Sequence, residues 1–146
     1  MIMANIIIIN GPNLNYVGKR EPNIYGNESF DVFFESLCGK YADVNLSYFQ
    51  SNVEGEIINK IYECVDNQDG IIMNCGGYSH TSVAIADAMA AVDIPIVEVH
   101  ISNIFAREEH RNVLLTAKNS SGFVSGFGLK SYEIALLALL NNFYKQ

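Results

Sequence analysis

Residues 4–10 read ANIIIIN, and residues 11–26 read GPNLNYVGKREPNIYG. The first stretch is the strongest strand signal in the chain. Its four isoleucines run consecutively rather than alternating, as in a strand buried on both faces of a parallel sheet. The second stretch abolishes the pattern. Between Ile9 and Gly26 lie four asparagines, two prolines and three glycines, together with Arg20 and Tyr25. Structureless loops of this length are uncommon in compact domains and are often functional. A phosphate cradle, a flexible lid and an idle insertion all fit the loop at this point.

The remainder of the chain alternates strand and helix. Ser29 suits an N-cap for a helix over about 30–41, with Asp31 in its first turn favouring the helix dipole. VNLSYFQ (44–50) alternates and reads as a strand. VEGEIINKIYECV (53–65) places Ile57, Ile58, Ile61, Tyr62 and Val65 on one helical face. GIIMN (70–74) is a short buried strand. TSVAIADAMAAV (81–92) is a helix capped by Thr81 or Ser82. IPIVEVH (94–100) is a strand, and GFVSGFG (122–128) is a weaker one with a glycine-rich exit. SYEIALLALLNNFY (131–144) is a closing helix. Five strands alternating with helices predict an α/β sandwich over a parallel sheet, with the flavodoxin-like order 2-1-3-4-5. The whole chain, 1–146, reads as one domain.

Composition narrows the function. Of 146 residues 49% are apolar and 17% charged, which excludes a disordered chain. No apolar run is long enough to span a bilayer, and the N-terminus lacks the marks of a signal peptide. Cys38, Cys64 and Cys75 form no CxxC pair. Cys38 and Cys64 fall in helical patterns as buried thiols, and a reducing, cytoplasmic setting fits. Nine basic and sixteen acidic residues leave a net charge of −7, which argues against nucleic acid or anionic membrane as partner. An anionic substrate would need local cations. The arginines are only Arg20, Arg107 and Arg111.

In such sheets ligands bind beyond the carboxyl ends of the strands. Arg20 and Tyr25 follow strand 1. Asn74 and His80 follow strand 3. Glu98 and His100 close strand 4, with Arg107 and Arg111 just beyond. All three arginines and two of three histidines therefore gather at one sheet edge.

Several chemistries fail on spacing. Walker A requires GxxxxGK[ST], whereas Gly11 and Gly18 are separated by six residues and Lys19 precedes Arg20. GxGxxG is absent, so FMN rests on fold analogy alone. His80, Asp87, Glu98 and His100 lack metal-ligand pairing, and the arginines would repel a cation; no metal is expected. Ser79-His80 sits outside any GxSxG elbow. Cys75 could act as a nucleophile with His80 or His100, or simply fill a turn. The lysines lie in polar or helix-surface contexts, which disfavours an imine. Tyr25, five residues after Arg20, could serve as a tyrosinate base, or could pack under the loop while Arg20 pairs with Glu21. Arg107 and Arg111, four apart, would share one face of a helical turn, or could form a solvated surface with Glu108 and Glu109. On the residues alone a non-catalytic module binding a small anion also remains open.

INGPNLNYVGKREPNIYG, QSNVEGEIINKIYE, NCGGYSHTSVAIADA and EVHISNIFAREEHR together resemble type II 3-dehydroquinate dehydratase. The resemblance extends over almost the whole chain, to GFGLKSYEIALLAL. It implies a flavodoxin-like enzyme of the shikimate pathway, assembled as a dodecamer of four trimers and using neither cofactor nor metal. By match of motif, Tyr25 would be the base beside Arg20, and Asn13 would hold the water that stabilises an enolate. His100 would protonate the leaving hydroxyl, oriented by Asn74 and Glu98. Asn74, Ile101 and Ser102 would bind the substrate carboxylate. His80 and Arg111 would hold ring hydroxyls, Asp87 would arrive from a neighbouring subunit, and Arg107 would order a lid over 18–26. The chain departs from the usual family pattern at Val53, Cys75 and Phe105 and over NVLLTAK (112–118).

Overall fold

The computed structural model describes residues 3–19 and 21–143, and the side chain of Tyr25 is left aside. Five parallel strands form one sheet: β1 (Asn5–Asn10), β2 (Asn45–Gln50), β3 (Gly70–Asn74), β4 (Ile96–His100) and β5 (Gly122–Ser125), in the order β2-β1-β3-β4-β5. The helices are α1 (Pro22–Tyr25), α2 (Phe30–Lys40), α3 (Glu54–Glu63), α4 (Val83–Ala90) and α5 (Lys130–Ala138).

The consecutive isoleucines are explained by two cores. Ile6 and Ile8 pack with Phe30, Leu37, Tyr132 and Leu136, beneath α2 and α5. Ile7 and Ile9 pack with Ile57, Ile61, Ile85 and Met89, beneath α3 and α4. Side chains alternate faces along a strand, so covering both faces demands an apolar residue at every position.

The caps follow the residue chemistry. Ser29 Oγ accepts from Val32 N at 3.3 Å, with Asp31 in the first turn of α2. Ser82, not Thr81, caps α4, accepting from Ile85 N at 2.9 Å.

Five expectations need correction. The buried stripe of α3 and the turn after it is Ile57, Ile61 and Cys64, while Tyr62 (49% exposed) and Val65 (51%) face outward. These two lie roughly 80–140° around a helix from Ile57, too far to reach the sheet. Cys38 is only half-buried, because it sits one residue past Leu37, which holds the inward position. The loop after β1 is not structureless. A 3-10 turn spans Leu14–Tyr16, Leu14 and Val17 are buried, and Pro22 starts the single-turn α1, its ring presetting φ. Finally, β5 stops at Ser125, where Gly126 turns the chain at φ +100. The closing helix gives way to a wider π turn over Leu139–Phe143.

One close approach places the site. Gly11 N donates to Asn74 O at 2.7 Å, drawing together the exits of β1 and β3. A Cβ on Gly11 would overlap the Cys75 carbonyl, so only glycine permits this contact.

Candidate active site

A cleft of about 100 Å³ opens beyond the carboxyl ends of β1, β3 and β4. Asn13, Asn74, His80, His100, Arg107 and Arg111 all line it. Ile101 and Ser102, leaving β4, also line it. The sheet edge expected to bind ligand is thus the one that does carry a pocket.

Glu98 and His100 are two residues apart on β4 and share a face. Glu98 is wholly buried and His100 is 5% exposed. His100 Nε2 lies 3.1 Å from Glu98 Oε2, while Thr116 Oγ1 donates to Glu98 Oε1. A buried carboxylate requires such partners. The contact sets Nε2, rather than Nδ1, against the carboxylate. The ring packs between His80 (centroids 6.1 Å apart) and Phe123 (5.4 Å).

His80 is held differently. Its Nδ1–H donates to Val113 O at 2.7 Å, and Nε2 is buried without a partner among the described residues. Burial depresses its pKa below the ordinary value, and the neighbouring His100, Arg111 and His110 depress it further against the opposing Val113 bond. His80 is therefore neutral near pH 7, and Nε2 offers a lone pair rather than a proton.

Asn13 occupies the left-handed region at φ 68, which asparagine tolerates, and its N–H donates to Asn52 Oδ1 at 3.0 Å. The Asn74 side chain is tied to two other groups. Its Nδ2 donates to Tyr132 Oη at 2.8 Å and its Oδ1 accepts from Gly76 N at 3.1 Å. Asn74 ends β3 level with Asn10 on β1, and both asparagines meet the hydroxyl of Tyr132 on α5.

The two arginines converge, but not through one helical turn. Arg107 has extended backbone after a 3-10 turn (Ile104–Ala106), and Arg111 lies in a second such turn (Glu109–Asn112). Glu108 joins them, its Oε2 lying 3.6 Å from Arg107 Nε and accepting from Arg111 Nε at 2.8 Å. Its own backbone N–H and then the Arg111 bond pull the Glu108 pKa down to about 2, so it stays ionised throughout the physiological range. Arg107 also reaches Ser102 Oγ at 3.3 Å and lies 3.9 Å from the Glu21 carboxylate, at the start of α1.

Other candidates fall elsewhere. Asp87 is on the exposed face of α4, away from the cleft. Cys75 is wholly buried, and burial, then the Glu98 charge, push its thiol far up, so it fills space rather than attacks. Arg20 and the Tyr25 side chain lie outside the described residues. Among those described, no three His, Cys, Asp or Glu side chains gather as metal ligands, and no helix is long and apolar enough to cross a membrane.

Thr116 and Tyr132 carry no motif signal, and sequence reasoning passed over both. Thr116→Val keeps the shape and removes the hydroxyl bond to Glu98. It is expected to lower kcat by about tenfold, since a lost bond to a buried charge is worth roughly 1.5–3 kcal/mol. Steady-state kinetics beside a thermal melt checks this.

A flavodoxin-like sheet whose strand ends gather a carboxylate–histidine pair with arginine and amide donors carries the groups that an α/β enzyme of the acid–base kind needs. Comparison narrows the class. The model of "Dehydroquinase class II" matches residues 4–140. A 3-dehydroquinate dehydratase of Clostridium botulinum (strain Hall) is 48% identical over 146 residues, covering 99% of both chains. One of Caldicellulosiruptor saccharolyticus is 53% identical over 140 residues, covering 94% of this chain and 97% of its own. The crystal structure of a type II dehydroquinase from Butyrivibrio crossotus superposes with a TM-score of 0.91, at 44% identity, over 95% of this chain and 99% of that one. The chain belongs to the class II dehydroquinase family.

Proposed function

We propose that this chain removes water from 3-dehydroquinate in the anti sense, through an enolate, on the shikimate route to aromatic amino acids. The observation that carries the reading is the buried Thr116–Glu98–His100 chain ending in a cleft lined by Arg107 and Arg111. An elimination of this type needs a base at a carbonyl-acidified C–H, an acid at the leaving hydroxyl and a holder for the enolate.

The substrate carboxylate binds Asn74 and the backbone N–H groups of Ile101 and Ser102. His80, through its lone pair at Nε2, and Arg111 hold the ring hydroxyls. Tyr25, as tyrosinate, takes the proton alpha to the ketone, and the C–H electron pair moves into the enolate. A free tyrosine is about 0.1% ionised at pH 7, and a nearby guanidinium, here Arg20, lowers its pKa by roughly 1–3 units. Asn13 holds a water on the enolate oxygen. The enolate then collapses, the C–O bond breaks, and His100 protonates the departing hydroxyl, giving water and a conjugated enone. Glu98 stabilises the histidine as it exchanges its proton. Arg107, within ion-pair reach of Glu21, ties the Tyr25 loop to the cleft. No cofactor or metal enters these steps.

The same reading makes the protein a cytoplasmic dodecamer. The placement of Asp87 on an exposed helix face supports its contribution to a neighbouring subunit's site.

Purified protein mixed with 3-dehydroquinate after chelator treatment should generate the ultraviolet absorbance of the enone. Intact, folded protein without turnover would overturn the assignment.

A further inference from the structure

Tyr132 lies on α5, is wholly buried, and is 58 residues from Asn74 and 122 from Asn10. Its hydroxyl bridges the two asparagines, which are register partners at the carboxyl ends of β1 and β3. Tyr132 Oη donates to Asn10 Oδ1 at 2.8 Å and accepts from Asn74 Nδ2 at 2.8 Å. We propose that Tyr132 is a positioning residue for the reaction: from behind the sheet its hydroxyl anchors the Asn74 amide in the orientation that the Gly76 N–H selects, and so holds one amide N–H toward the substrate.

The direction of this hydrogen-bond chain is determined at one end. Gly76 N donates to Asn74 Oδ1 at 3.1 Å, and a backbone N–H can only donate. The oxygen of the Asn74 amide must therefore face Gly76, and its nitrogen must face Tyr132. Tyr132 has one hydroxyl proton. Having accepted from Asn74, it directs that proton to Asn10 Oδ1. Turning the Asn74 amide over would set two donors against each other at Gly76. Gly76 is itself tightly placed, at φ +58, where an added Cβ would come within 3.0 Å of the Pro12 carbonyl.

The chemistry of Tyr132 suits a permanent neutral hydroxyl. Burial pushes its pKa far above that of an ordinary tyrosine, so it stays protonated and keeps both roles. The Asn74 side chain, 3% exposed, thus has its oxygen and one N–H committed, leaving one N–H for the cleft that it lines. Asparagine side chains rotate readily about their last torsion. Here that rotation is stopped at both ends, so the donor is set before substrate arrives, which cuts the ordering cost of binding.

The kinetic part of the inference rests on the reading that Asn74 holds the substrate carboxylate. Tyr132→Phe keeps the ring and removes the hydroxyl. In folded variant, confirmed by circular dichroism and a cooperative melt, KM for 3-dehydroquinate should rise about tenfold while kcat stays within about threefold, the signature of lost uniform binding. In an Asn74→Ala background, Tyr132→Phe should add nothing further to KM. Independently of turnover, the Asn74 side-chain amide should exchange with solvent more than tenfold faster in Tyr132→Phe than in wild type, by nuclear magnetic resonance. A KM within about twofold of wild type, an additive effect in the Asn74→Ala background, or unchanged amide exchange would each overturn the proposal. A wild type unable to turn over 3-dehydroquinate would instead remove the functional reading, and the amide exchange would still decide the role of Tyr132.

Discussion

Replacing His100 by glutamine is expected to lower kcat for 3-dehydroquinate by roughly 10²–10⁴-fold, the range typical for removal of a general acid. The choice of glutamine follows from the geometry. His100 Nε2 meets the Glu98 carboxylate at 3.1 Å, and Glu98 is wholly buried. Alanine would delete the acid and also leave that carboxylate with one protein partner fewer. Leaving a buried polar group without one of its hydrogen-bond partners costs about 1–3 kcal/mol, and more where the group is charged. A glutamine amide can still donate to Glu98, but cannot give up a proton to a leaving hydroxyl. His100→Gln should therefore lose turnover with little change in melting temperature, whereas His100→Ala should lose both. If His100→Gln retains more than about a tenth of wild-type kcat, His100 is not the acid.

The second large effect is expected at Tyr25. Phenylalanine removes one oxygen and keeps the ring, and should lower kcat by roughly 10²–10⁴-fold if the phenolate is the base. The structural ground for placing this loop at the cleft is the 3.9 Å approach of Glu21 to Arg107, which lines the cleft. Glu21 is the N-cap of the single turn of helix, Pro22–Tyr25, that Tyr25 ends. A Tyr25→Phe enzyme close to wild-type turnover would assign the base elsewhere. Solvent-exchange of the substrate's alpha proton separates the two steps: it should fail in Tyr25→Phe and persist in His100→Gln, because only the former removes the group that breaks the C–H bond.

These two predictions differ in how far the sequence alone could support them. Glu98 and His100, two apart on an apolar strand, necessarily share a face, because side chains alternate along a strand. Their place at a strand end was legible, but the facing of the strand was not, and their pairing came only from the family resemblance until the fold put Glu98 and His100 in contact. Arg107 and Arg111 were legible as cations near that end, but not as a pair bridged by Glu108. Helical spacing suggested one turn, whereas two separate 3-10 turns bring them together. Tyr62 and Val65 show a related limit. Periodicity defines a stripe only to within about a quarter-turn, and the neighbouring sheet decided that Cys64 took the inward position.

What the sequence determined by itself is the local and the repetitive. The isoleucines of β1, the cap at Ser29, the choice of Thr81 or Ser82 for the cap of α4, the alternation of strand and helix and the polar residues at strand ends all follow from near neighbours in the chain. With parallel strands and right-handed crossovers they lead to the 2-1-3-4-5 sheet and its ligand edge. Tertiary structure decided which polar atoms satisfy one another. Thr116 reaches Glu98 across 18 residues, and Tyr132 reaches Asn74 across 58 and Asn10 across 122. No periodicity encodes such contacts. They arise because a polar group buried by packing loses its water and must take whichever partner the fold has brought within about 3 Å.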